Sequence, residues 1–199
     1  MREPKRNQRR QAALAGHSGD EATARALLAD GDPGTRSVAL GALGRLGALT
    51  ADDVAGAARD PAPEVRRRVA EEVAGHDPGP EVSLLSLLSD ADATVVEAAS
   101  WACGERVPAE PGAVASLCAI ATGHEDALCR EAAVAALGAI GDEAALPTIL
   151  AATMDKATVR RRAVIALAPF AGPELAAALE RALSDRDWQV RQAAEDLLA

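Results

Sequence analysis

The side chains able to do chemistry in this 199-residue chain are few and scattered. Its three histidines, His17, His76 and His124, stand far apart and near expected helix ends or turns, and no zinc-ligand spacing, glycine-rich phosphate loop or Ser-His-Asp set accompanies them. Cys103, Cys118 and Cys129 form no CxxC pair and are odd in number. That pattern argues against a disulfide framework and for plain buried thiols in a reducing compartment. One constellation remains. Trp101, which with Trp188 and Phe170 makes up the whole aromatic set, has Glu97 one helical turn before it and Glu105 one turn after. An indole flanked by carboxylates takes an apolar group or a Lys or Arg side chain, through stacking and cation–π attraction. This is the chemistry of recognition, and no metal or cofactor is called for.

Such residues need a scaffold, and the composition says which kind. The chain is 49% apolar and 26% charged, as a folded protein is, and it is rich in alanine and leucine but poor in strand formers. No run approaches the roughly 18 apolar residues of a membrane span. The start, MREPKRNQRRQAALAG, lacks the apolar core of a secretory signal, so a cytoplasmic protein is expected. Residues 1–10 carry five bases against Glu3; of the net −9, that leaves −13 on the remaining chain. A body of that charge repels phosphate backbones and disfavours nucleic acid as a partner. The basic start reads as a solvated tail or first helix, residues 1–19, free to touch an acidic partner or to fold back on the body.

The stretch CREAAVAALGAIG at Cys129 recurs. With Cys129 as position 0, it aligns with segments beginning at Thr35, Val65, Val95, Val159 and Val190, at spacings of 30, 30, 34, 30 and 31 residues. Apolar or small residues recur at positions 0, 4, 5, 7 and 8, one broad helical face. Between the copies lie further helical segments such as ADDVAGAA, PEVSLLSLL and PELAAALERAL, so each unit is a helical hairpin with the aligned copy as its second helix. Aspartates mark the turns: Asp30, Asp60, Asp90, Asp155 and Asp185, joined by Asp32, Asp92, Asp126 and Asp187. Short carboxylates there cap free amides at a helix start, while Gly47 and Gly141 suit left-handed helix ends. A fixed period of this size marks a solenoid.

An aspartate-rich turn followed by Val-Arg, two variable residues, Ala and Ala-Leu-Gly resembles the HEAT repeat, in particular the short form related to phycobilin-lyase repeats. The resemblance covers roughly residues 20–199 and implies an all-α, single-domain α-solenoid of about six hairpins. It implies that the Arg after position 0 pairs with the turn Asp of a neighbouring hairpin; Arg36, Arg66, Arg130, Arg160 and Arg191 match that position and read as a structural ladder. It also implies that the second helix of each hairpin lines a concave side. Positions 2, 6 and 10 then face the concavity, placing Arg67, Glu71, Glu97, Trp101, Glu105, Glu131, Arg161 and Ile165 on one surface.

The third copy departs most from the pattern. Val96 replaces the ladder arginine, Arg106 stands where other copies are apolar, and the connection RVPAEPG lengthens the next spacing. Trp101 lies in this copy, either as a binding residue or as a filler of the gap that the connection leaves. Trp188, in the turn DRDWQV, is expected to cover the end of the last hairpin. The chain thus reads as a non-catalytic scaffold for a protein or peptide with a cationic or apolar anchor. Three enzyme alternatives share the resemblance. A HEAT-like glycosylase for alkylated bases would use Trp101 and Glu105, but the acidic body lacks a basic rim. The HEAT-repeat hydroxylases use repeated His-Glu pairs, and His124-Glu125 is the single pair here. Likeness to bilin lyases is confined to the repeat.

Overall fold

A computed structural model describes residues 3–75 and 83–199, with side chains described from residue 6 onward. Among the described residues the secondary structure is helical, and the chain divides into two compact units, residues 1–83 and 84–199. His76 and the first residues of PEVSLLSLL fall outside the described residues.

The first unit contains α1 (Glu3–Ser18), α2 (Glu21–Leu27), α3 (Pro33–Leu46), α4 (Ala51–Ala57) and α5 (Pro63–Gly75). Here α3 packs between α1 and α5, with α2 and α4 as the partner helices of the hairpins. The basic start is therefore a helix in the stack: Ala12 and Ala15 are buried, and Gly16 faces Ala42 so closely that a Cβ there would lie 2.9 Å from the Ala42 Cα. Arg9 is drawn into the unit as well, donating from Nε to Asp32 Oδ2 at 2.7 Å, which holds that carboxyl well below the usual carboxylate range.

The second unit opens with a short 3-10 turn at Leu87–Ser89, where the repeat leads one to expect a full helix. It continues through α6 (Ala93–Glu105), α7 (Ala113–Gly123), α8 (Ala127–Ile140), α9 (Leu146–Ala152), α10 (Ala157–Ala166), α11 (Pro173–Leu183) and α12 (Trp188–Leu198). The second helices of the hairpins, α6, α8, α10 and α12, stack side by side in that order, with α7, α9 and α11 behind them. Every residue at positions 0 and 4 of the six aligned copies is buried, from Thr35 and Ala39 to Val190 and Ala194. Small residues at positions 7 and 9 let backbones approach: a Cβ on Gly138 would meet the Ala166 Cα at 2.6 Å, and one on Gly104 the Ala136 Cα at 2.9 Å.

The turn aspartates divide the work. The first accepts an amide inside the turn, as Asp30 does from Asp32, Asp60 from Ala62 and Asp185 from Asp187, each at 2.8 Å. The second caps the helix, as Asp32, Asp92, Asp126 and Asp187 do. Arginines lock successive turns together. Arg160 donates through Nε and Nη2 to the two carboxylate oxygens of Asp185 at 2.8 and 2.7 Å, and through Nη1 to the Asp155 carbonyl of its own turn at 2.8 Å. Arg130 clamps Asp155 and the His124 carbonyl in the same way, and Arg36 clamps Asp60 and the Asp30 carbonyl. Arg66 and Arg191 bond the carbonyls of Asp60 and Asp185. Two-point pairs of this geometry are the strong form of an ion pair. The Arg130 and Arg160 guanidiniums hold Asp155 and Asp185 below the usual carboxylate range; at Asp60 burial pulls upward and Arg36 overrides it.

At α6 the ladder changes chemistry on both sides together. Val96 occupies the arginine position and is buried, and the turn ahead of α8 has His124 where the other turns have an aspartate. The His124 Nδ1 accepts the Asp126 amide at 3.1 Å, taking over the role of that aspartate inside the turn. Removing arginine and carboxylate as a pair leaves no orphaned charge in the packing.

Candidate binding surface

The solvent face of the second helices is set by the buried one. With positions 0, 4, 5, 7 and 8 turned into the stack, positions 2, 6 and 10 are left on the other side of each helix. On α6 these are Glu97, Trp101 and Glu105; on α8 Glu131, Ala135 and Ala139; on α10 Arg161 and Ile165, with Pro169 in the turn just after it. The register between helices is visible directly: Glu131 and Arg161, both at position 2, approach to 3.9 Å across α8 and α10.

Trp101 is 48% exposed and Ile165 45% exposed, two large apolar side chains left in solvent at the same register position. Trp101 is therefore not packed inside the stack as a filler. Between them α8 presents Ala135, half-buried, so the row reads tall, short, tall.

The acidic residues expected around Trp101 separate into two kinds. Glu131 accepts ion pairs from Arg161 and from Arg162, the latter at 3.6 Å. In the first unit Glu71 is paired with Arg67 at 3.0 Å and with Arg68 at 2.9 Å. Among the described residues Glu97 and Glu105 make no salt bridge, so their charge is free to act outward.

Trp188 does not cover a turn. It is the first residue of α12 and is 64% exposed, because the cap of that helix is made by Asp187, which accepts the Gln189 amide at 2.9 Å, and the indole is left outside. Of the thiols, Cys103 and Cys129 are buried and Cys118 is half-buried. Burial pushes Cys103 up to about 12 and Cys129 up to about 11, which keeps both protonated and poorly nucleophilic at neutral pH. Among the described residues no group of three or more His, Cys, Asp or Glu side chains is placed to hold a metal ion, and no helix is long and apolar enough to cross a membrane.

The sequence profile of the family described as HEAT repeats matches residues 81–168. That segment resembles HEAT repeats, and the chain as a whole has the fold of an α-helical repeat solenoid. The X-ray structure of YibA from E. coli has a similar fold, with a TM-score of 0.71 at 18% identity over 93% of this chain and 69% of that one. A designed armadillo repeat protein in complex with the peptide (KR)4 is also similar, with a TM-score of 0.63 at 19% identity over 96% of this chain and 97% of its own. Human deoxyhypusine hydroxylase in complex with glycerol gives a TM-score of 0.50 at 22% identity, over 96% of this chain and 77% of that one. At these identities the likeness is one of fold. No curated protein matches the chain by sequence.

Proposed function

We propose that this solenoid is a non-catalytic scaffold that binds a protein or peptide on the solvent face of its second helices, with Trp101 taking a cationic or apolar anchor of the partner. The observation that carries this reading is Trp101 itself, half exposed on α6 with Glu97 and Glu105 a turn away on either side and free of ion pairs among the described residues. A large aromatic in solvent is what an interface hot spot uses. Ile165, with the Glu131, Arg161 and Arg162 cluster beside it, extends the surface across the second unit, and Arg67 and Glu71 lie on the corresponding face of α5. The designed armadillo repeat protein adds support by analogy, since it pairs a similar fold with a basic peptide.

A peptide-display selection on the full chain, counter-screened on Trp101→Ala, tests the reading. Selected peptides should lose at least about tenfold in affinity for the variant, as removal of a hot-spot residue requires. Equal binding to both proteins would remove Trp101 from the site.

A further inference from the structure

We propose that this surface takes two anchors of one extended peptide at once: a Lys or Arg side chain on Trp101, Glu97 and Glu105, and an aliphatic side chain on Ile165, six residues along the peptide. This rests on the peptide-binding reading above and specifies its ligand.

The spacing follows from the stack. Trp101 and Ile165 hold the same register position on α6 and α10, with α8 between them contributing only Ala135 at that level. Packed helices lie about 8–10 Å apart, so two steps separate the anchors by roughly 16–20 Å. An extended backbone advances ~3.1–3.4 Å per residue, so six residues span about 19–20 Å. Six is also a whole number of periods for a β strand, which repeats every two residues, and for a polyproline helix, which repeats every three. In either conformation the two side chains point the same way. Three residues would reach only as far as Ala135, which offers no wall to pack against.

The order of the anchors follows from charge. Glu97 and Glu105 keep their charge available around Trp101, and the solenoid as a whole is at −9, so a cation is favoured over α6. Around Ile165 the charges balance: Glu131 is shared by Arg161 and Arg162, and Asp196, at the same register on α12, accepts from Gln192. A cation therefore gains little there, whereas an aliphatic side chain gains contact with Ile165 at no electrostatic cost.

Fluorescein-labelled Gly/Ser peptides carrying one Arg and one Leu, with Leu placed three, five or six residues after Arg, test this by anisotropy against the full chain. The six-residue spacing should bind at least about tenfold tighter than the three-residue spacing at equal composition. Ile165→Ala should erase the preference for spacing, and Glu97→Gln with Glu105→Gln should weaken all the peptides and flatten their salt dependence. All three substitutions are at solvent-facing positions, and circular dichroism of each variant confirms that the helices persist. Equal affinity across spacings, or a preference that survives Ile165→Ala, overturns the two-anchor proposal. The indole NMR signal of Trp101 separates the two readings. A shift on adding an Arg-only peptide, without dependence on spacing, leaves the scaffold reading standing and sinks this one. Absence of any shift with every peptide sinks both.

Discussion

Gly138 on α8 lies against Ala166 on α10 so closely that a Cβ on the glycine would come within 2.6 Å of both the Cα and the Cβ of Ala166. The first prediction follows from that contact. Gly138→Ala should destabilise the protein by about 1–3 kcal/mol, because backbone cannot yield as a side chain can and overpacking outweighs the ~1 kcal/mol that alanine gains in a helix. Gly56 in α4 meets nothing within 4 Å of a Cβ, so Gly56→Ala should be neutral or stabilising by up to ~1 kcal/mol. Urea midpoints at constant slope compare the two, and an unperturbed Gly138→Ala would contradict the close approach.

The ladder gives the second. Arg160 is 7% exposed and engages Asp185 at two points, so Arg160→Ala should cost about 1–3 kcal/mol through lost charge-assisted hydrogen bonds and an orphaned carboxylate. Combining it with Asp185→Asn should give clear non-additivity in a double-mutant cycle. Strictly additive losses would show that the pair is not coupled.

The third concerns acid. Asp155 and Asp185 are held by Arg130 and Arg160 below their unfolded values. For a carboxylate lowered in the folded state, the stabilisation is complete above the unfolded pKa, about 3.9, and is lost as pH falls through the folded one. Stability referred to these pairs should therefore be flat from neutral pH down to about 5 and decline below about 4. Thermal melts between pH 7 and pH 3 measure it. In the Arg160→Ala variant the acid decline should be shallower than in the wild type, and an identical profile would exclude Asp185 as a source.

The fourth separates the two tryptophans. Trp188 at 64% exposure should be quenched by acrylamide somewhat more readily than Trp101 at 48%. Neither Trp101→Ala nor Trp188→Ala should shift stability by more than about 1 kcal/mol, since both side chains are at the surface. Only the first should alter peptide binding. Unfolding on removal of Trp101 would place the indole in the core.

The fifth addresses DNA. With the chain at −9 and Arg9 engaged by Asp32, duplex DNA should bind weakly at a fixed moderate salt concentration, and Arg6→Gln with Arg10→Gln should abolish what remains. Tight binding that survives both substitutions would favour a glycosylase-like reading.

Much of the architecture is legible because helical packing is local and repeated. The six copies at spacings of 30 to 34 residues place the second helices within a residue or two, and the buried positions 0 and 4 follow from helical period alone. The turn aspartates and the arginine after position 0 are legible for the same reason, since each hairpin repeats one solution to the same capping problem.

Other features depend on partners that are distant in the chain. The basic start reads as a tail when only its charge is counted; Ala12, Ala15 and Gly16 make it a packed helix because α3 supplies a matching surface about 26 residues later. The loss of the ladder at Val96 looks like a defect until His124 is seen to lack the carboxylate as well, a paired change that only the adjacency of α6 and the turn before α8 explains. Trp188 emerges into solvent because its helix is capped by Asp187. The four glutamates expected near Trp101 are equivalent in sequence, yet the arginines of α5 and α10 neutralise Glu71 and Glu131 and leave Glu97 and Glu105 free among the described residues. Period and composition determined which helices form and which faces they bury. Which charges stay available on the remaining face was decided by side chains meeting across neighbouring helices, an interaction with no period of its own.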